Sequence, residues 1–228
     1  PAPPETCTTC FGSCAFFLAV SRGTQPEHPL TYIKLQFEEA ADNLLDPQIQ
    51  IVMTSLRITP NNQEIVMRDG DLIVSKTDPK GRITYGNRAF THYSGFTETE
   101  LLGVQHNIVR HPDMPRAVFK LLWDRLQAGE EVFAFVKNIA RSGSFYWVFA
   151  NVTPSYDVQG NLLGYFSVRR KPNPAAIRVI QPLYGQMLQA EKNAGTRDAI
   201  AASTQLLLNA LAAQNISYDD FVLNLQEA

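Results

Sequence analysis

The densest cluster of chemistry-bearing side chains is the run His106-Asn107-Ile108-Val109-Arg110-His111-Pro112-Asp113-Met114-Pro115. A guanidinium such as that of Arg110 makes paired, charge-assisted bonds to anionic oxygens, and the imidazole of His111 can add a donor beside it. A surface ion pair of either group with Asp113 or Glu100 would use the same atoms without any ligand. Asp113 also stands where it can cap a following helix. Further along, Asn138 follows the apolar run Val132–Val136 and Lys137. Its amide both donates and accepts. It can therefore read the polar edge of a guest, or bond backbone at a strand end. Asn87 has the same chemistry, with helix capping as its plainer use. Walls for a flat apolar guest are available from Phe119, Trp123, Phe135 and Tyr165, which ordinary core packing would equally employ.

Other chemistries fare worse. Cys7, Cys10 and Cys14 form a C-x2-C-x3-C cluster with no histidine nearer than His28, one ligand short of a soft four-coordinate metal site. Metal ligands are not expected there, and the odd count is no disulfide framework. Glu130-Glu131 is an adjacent pair in a turn rather than an acid/base couple. Phosphate-binding loops, nucleophile elbows, metalloprotease helices and kinase signatures are absent, so no enzyme is expected and no catalytic residue is assigned. The formal net charge of −2 leaves no basic excess to neutralise phosphates, against a general nucleic-acid binder. With 45% hydrophobic and 18% charged residues, the 228-residue chain has the composition of a folded protein. No apolar run approaches the ~20 residues of a membrane span. No basic segment precedes the short apolar stretch Ala15–Val20, so no secretory leader is expected and the predicted compartment is cytoplasmic.

The elements that must position these residues fall into three zones. Residues 1–66 are Pro-rich and irregular, with one helix predicted over Thr31–Leu45. Residues 67–172 are dense in structure signals. Strands are predicted at Leu72–Thr77 and Arg82–Gly86 around the turn Asp78-Pro79-Lys80-Gly81. Helices follow at Asn87–Tyr93, from Thr97 with a capping box to Glu100, and at Met114–Ala128 with Asp113 as its cap. Strands at Val132–Ala140, Phe145–Ser155 and Leu162–Arg170 complete the zone. The order is not alternating βαβ, so the fold class is α+β: a five-stranded antiparallel sheet with helices on one face. Residues 173–228 read as a C-terminal helical appendage, broken at Gly195, with a last helix capped by Ser217.

This middle zone resembles a PAS sensor domain, and within that family the FAD-binding sensor domain of bacterial aerotaxis receptors. The residues that carry the resemblance are Ile83–Phe90, Ser94-Gly95-Phe96, Glu100–Gly103, the whole of His106–Pro115, Phe119, Trp123, Val136-Lys137-Asn138, Gly143 and Tyr146–Asn151. It implies a non-covalent FAD between sheet and helices, with Asn87, Arg110, His111, Asp113, Phe119, Trp123 and Asn138 as cofactor-binding residues. A family tryptophan at the start of the third strand is replaced by Val132, for which Phe133 and Phe135 are expected to compensate. Neither membrane helices nor a long coiled coil follows, so the chain reads as a sensor without its transmitter. The implied function is signal transduction: sensing redox state or oxygen and passing the change through the C-terminal helices to a signalling protein or a second copy of the chain. Heme is the lesser cofactor expectation, because His111 lies in a polar stretch between Arg110 and Pro112 and His92 precedes Tyr93 at a helix end. A cofactor-free PAS protein-interaction or dimerisation module is the alternative.

Overall fold

The computed structural model describes residues 58–228; the expected helix at Thr31–Leu45 and the cysteine cluster lie outside them. The first strands, β1 (Ile73–Thr77) and β2 (Ile83–Gly86), form a hairpin. Its turn is fixed by Asp78, whose Oδ1 accepts from the amides of Lys80 and Arg82. Helix α1 (Arg88–Ser94) and the short α2 (Glu98–Leu101) follow, the latter with the expected capping box between Thr97 and Glu100. A 3-10 turn covers His106–Val109, and helix α3 covers Arg116–Gln127. Strands β3 (Val132–Ile139), β4 (Phe145–Tyr156) and β5 (Leu162–Arg170) close the sheet. The remainder is α4 (Pro174–Gln214) and α5 (Tyr218–Glu227).

All five strands pair antiparallel in the order β2-β1-β5-β4-β3. This places β1 beside β5 and leaves β2 and β3 at the edges. Gly164 makes the β1–β5 approach possible: a Cβ there would overlap the carbonyl oxygen of Thr77, and its φ of +147° excludes most side chains. In antiparallel strands paired residues share a face and alternate along each strand. Ser75, Thr77, Val136, Asn138, Ala150, Val152, Tyr165, Ser167 and Arg169 thus all look to the side that α3 covers. The opposite side carries Phe133, Phe135, Trp147 and Phe149, and α4 reaches it through Tyr184, whose ring lies 6.2 Å from that of Trp147.

Helix α3 starts later than its sequence suggested. Pro115 is its N-cap, with a non-helical ψ of 140°, and offers no side-chain acceptor to the first-turn amides. The residue before a proline is pushed out of the helical region, so Met114 cannot be the first turn. Asp113 is left two residues short and pairs with Lys137 instead. Helix α4 is interrupted at Gly195, where φ is 72° and ψ 176°, as the glycine there suggested. Both C-terminal helices join the common core through Ile180, Tyr184, Met187, Leu207, Leu211, Phe221 and Val222. The appendage therefore packs on the sheet of its own chain.

Candidate functional site

Between the sheet and α3 the interior is not filled by the protein's own side chains. A cavity of about 270 Å³ opens there. Helix α3 supplies Phe119, Leu122, Trp123 and Leu126, the i, i+3, i+4, i+7 stripe of one helical face. Trp123 meets Tyr165 of β5 edge-on at 5.2 Å, closing one end. Val109, Val136, Ala150 and Val152 line the rest with apolar surface.

The polar groups are few and underused. Asn138 is 3% exposed, and its Nδ2 has no hydrogen-bond partner among the described residues. Arg169 is 2% exposed; it donates to Ser75 Oγ through Nη2, stands 4.6 Å over the Phe90 ring, and among the described residues has no partner for Nε or Nη1. Burial pushes its pKa down to about 10, and among the described residues no carboxylate pairs with it. Ser75 is shared: His106 Nε2 lies 3.1 Å from the same hydroxyl, and its ring stacks on Phe90 at 5.6 Å. Burial, with the Arg169 charge adding, pushes the His106 pKa down to about 3, so the imidazole is neutral. A buried guanidinium with two idle donors beside an idle amide is a cost that a fold rarely carries without a ligand to meet it.

Of the seven residues expected to hold a cofactor, Arg110, Phe119, Trp123 and Asn138 line the cavity. The Arg110 guanidinium stands over the Phe119 ring at 4.2 Å and donates to the Met114 carbonyl. Burial lowers its pKa, and the charge of Glu191 opposes this. The other three stand elsewhere. Asn87 caps α1: its Oδ1 accepts from the amides of Phe90 and Val74, and its Nδ2 donates to the Leu72 carbonyl. His111 is 3% exposed, edge-on to Phe145, and its Nδ1 accepts from the Asp113 amide. Burial pushes the His111 pKa down, the Lys137 charge adds to this, and Asp113 opposes it. The Asp113 side chain is 60% exposed and 2.7 Å from Lys137 Nζ. Burial would raise its pKa, but the Lys137 hydrogen bond and charge, with His111 and Lys192, bring it below the usual range.

Phe135 is a correction. The two-residue period that turns Val136 and Asn138 into the cavity turns Phe133 and Phe135 away, toward Phe149 and the C-terminal helices. Tyr165 does form a wall, but neither phenylalanine can compensate for Val132, which is on the cavity side of the sheet. Sequence reasoning also missed Ser75, His106 and Arg169. The available signal was the alternation Tyr165-x-Ser167-x-Arg169, which puts the guanidinium on the face of a residue already expected to form a wall.

Residues 72–171 match the sequence pattern of the family described as PAS fold. The chain is 40% identical over 122 residues to the aerotaxis receptor of Escherichia coli (strain K12), covering 54% of this chain and 24% of that one. It is 28% identical over 105 residues to the nitrogen fixation regulatory protein of Klebsiella pneumoniae, covering 46% of this chain and 21% of the relative. The chain thus spans about a quarter or less of these relatives. Among solved structures, one from flavin-analogue work on the light-oxygen-voltage domain mechanism aligns with a TM-score of 0.44 at 20% identity, covering 50% of this chain and 86% of that one. The five-stranded antiparallel sheet, the helices on its one face and the matched segment coincide, and residues 72–171 of this chain are a PAS domain.

Proposed function

We propose that the PAS domain is a cytoplasmic redox or oxygen sensor that holds FAD in the cavity and signals through α4 and α5 to a partner protein. The observation that carries this is the apolar slot with unpaired donors on Asn138 and Arg169. Its volume of about 270 Å³ is a little under the ~300–1,000 Å³ of typical ligand sites, so it suits the ring end of such a cofactor. The similarity to the aerotaxis receptor supports the same reading. When bound, a flavin supplies reversible electron transfer at a ring whose edge exchanges accepting for donating hydrogen bonds.

The chain's own groups have distinct tasks. Phe119, Trp123 and Tyr165 exclude water and flank a flat guest. Arg169 offers two donors to acceptor atoms or to developing negative charge, and the neutral His106 holds Ser75 without adding a second positive charge. Asn138 can rotate its amide, presenting a donor or an acceptor to the ring edge. Arg110 stands where a charged portion of the cofactor would leave the slot. Asn87, His111 and Asp113 act as positioning residues: the first ties β1 to α1, and the other two brace the segment before α3 against Lys137. No reacting group of an enzyme is required.

The test is the visible spectrum of the protein as purified, before and after a reductant, with the mass of any released chromophore. A flavin spectrum that bleaches on reduction, with an FAD mass, is expected. Colourless protein that fails to take up added FAD would refute the reading and leave the cofactor-free interaction module.

A further inference from the structure

The cavity lies between the sheet, whose edge strand on one side is β3, and α3, and the C-terminal helices grip both β3 and α3. Strand β3 is a sheet edge, and its outward carbonyls would be unpaired. The Phe135 carbonyl accepts from Tyr184 Oη at 2.9 Å, and the Phe133 carbonyl accepts from Tyr218 Oη at 3.0 Å. On the other wall, Ala117 is in the first turn of α3, where amides have no intrahelical acceptor. It donates to Glu191 Oε1 at 3.2 Å, and Glu191 is only 8% exposed. Near the far end of α3, Arg125 makes a forked pair with both oxygens of Asp219, at 2.5 and 2.8 Å. Tyr184 and Glu191 are seven apart on one face of α4, yet hold opposite walls. Tyr218 and Asp219 are adjacent on α5 and do the same.

We propose that α4 and α5 are a clamp on the cavity: Tyr184 and Tyr218 on the β3 wall, with Glu191 and Asp219 on the α3 wall, fix the spacing between the walls, so that helix release and loss of a cavity ligand drive one another. The clamp rests on contacts within the chain; its coupling to occupancy rests on the reading that the cavity takes FAD. Coupling of this kind is reciprocal: whatever factor helix docking adds to ligand affinity, the ligand adds to helix docking. The four residues are positioning residues, since none of them lines the cavity.

Hydrogen–deuterium exchange of the full chain tests this, first without flavin. Tyr184→Phe with Tyr218→Phe keeps both rings and removes both phenol bonds. Exchange is expected to rise about tenfold in α4 and α5 and also in α3, to which neither hydroxyl bonds; the Tyr218 ring, which stands 5.7 Å from the Arg125 guanidinium, is kept. Glu191→Ala is expected to loosen β3, although the hydrogen bond it removes is to α3, and Glu191→Gln, which keeps an acceptor for Ala117, to restore it. The β1–β2 hairpin should stay as in wild type throughout. A rise confined to the helices and the wall directly touched, a uniform rise over the whole chain, or equal effects of Gln and Ala would each overturn the clamp. With added FAD, exchange in α4 and α5 should slow, and the double Phe variant should lose FAD affinity by the same factor. FAD that binds without slowing those helices overturns the coupling. If FAD does not bind at any concentration, the sensor reading fails, and the flavin-free measurements still decide the clamp.

Discussion

Replacing Arg169 by methionine separates a ligand-binding cation from a structural one. Burial takes its pKa from the ordinary guanidinium range down to about 10, which at ~1.4 kcal/mol per pKa unit corresponds to a burial cost of about 3 kcal/mol. The guanidinium remains charged at any working pH, so this cost is present throughout. Against it stand the bond to Ser75, about 1.5–3 kcal/mol for a charged donor, and the stacking over Phe90, roughly 0.5–2 kcal/mol. The opposing contributions nearly cancel. Arg169→Met, similar in length and apolar, should therefore leave the flavin-free chain within about 1 kcal/mol of wild type in urea unfolding. An Arg in a buried pair would lose about 3–5 kcal/mol on the same change. FAD affinity should fall about a hundredfold or more, because charged donors to a desolvated ligand are lost. Arg169→Lys, with one prong instead of a fork, should lie between. A variant that unfolds about 3 kcal/mol more easily yet binds FAD as wild type does would refute the reasoning, and would show that Arg169 serves the fold alone.

The neutral His106 predicts acid sensitivity. Its folded pKa of about 3 lies below the ordinary 6.5, so the folded state binds fewer protons between those values. Stability is therefore complete above pH 6.5 and falls as pH drops toward 3. His106→Gln should remove roughly 1.5 kcal/mol of the loss between pH 6.5 and 5; urea midpoints with the same pH slope in both proteins would refute this. At Asn87, where every polar atom is already engaged, Ala should cost about 2–3 kcal/mol, and Asp, which keeps both accepted bonds, about 1. Below the unfolding transition FAD affinity should change less than about threefold in either, and a larger loss would place Asn87 on the cofactor. Gly164→Ala must displace the Thr77 carbonyl, so a cost of about 3 kcal/mol or more is expected, and a change under 1 kcal/mol would contradict the observed β1–β5 approach.

The order of elements was legible because the local signals are strong and independent. The capping box at Thr97, the turn at Asp78–Gly81 and the glycine at 195 each declare a boundary through one short interaction. The start of α3 was misread because two helix-start signals compete there: Asp113 has a capping side chain, but Pro115 forbids a helical Met114. Of the expected site, Phe119 and Trp123 were legible from helical period, and Arg110 and Asn138 from the resemblance. Phe135 was misplaced because aromatic richness was weighed without the strand period that turns it outward.

Arg169 was missed for a different reason. On the sequence it is one of two adjacent arginines at the end of a strand, and only its two-residue spacing from Tyr165 and Ser167 tells which shares their face. Which face meets the cavity is decided by register: Arg169 pairs with Ile73 on one side and Ala150 on the other, both on the cavity face, while Arg170 turns to the other side. The register depends in turn on Gly164 letting β5 close against β1 at Thr77. Shifted by one residue, the same strand would bury Arg170 and Phe166 and expose Arg169, Ser167 and Tyr165. The idle donors of the site are thus placed by a glycine five residues away that touches no ligand. A Gly164 variant that still folded would be expected to lose the cavity's cation and its Tyr165 wall together.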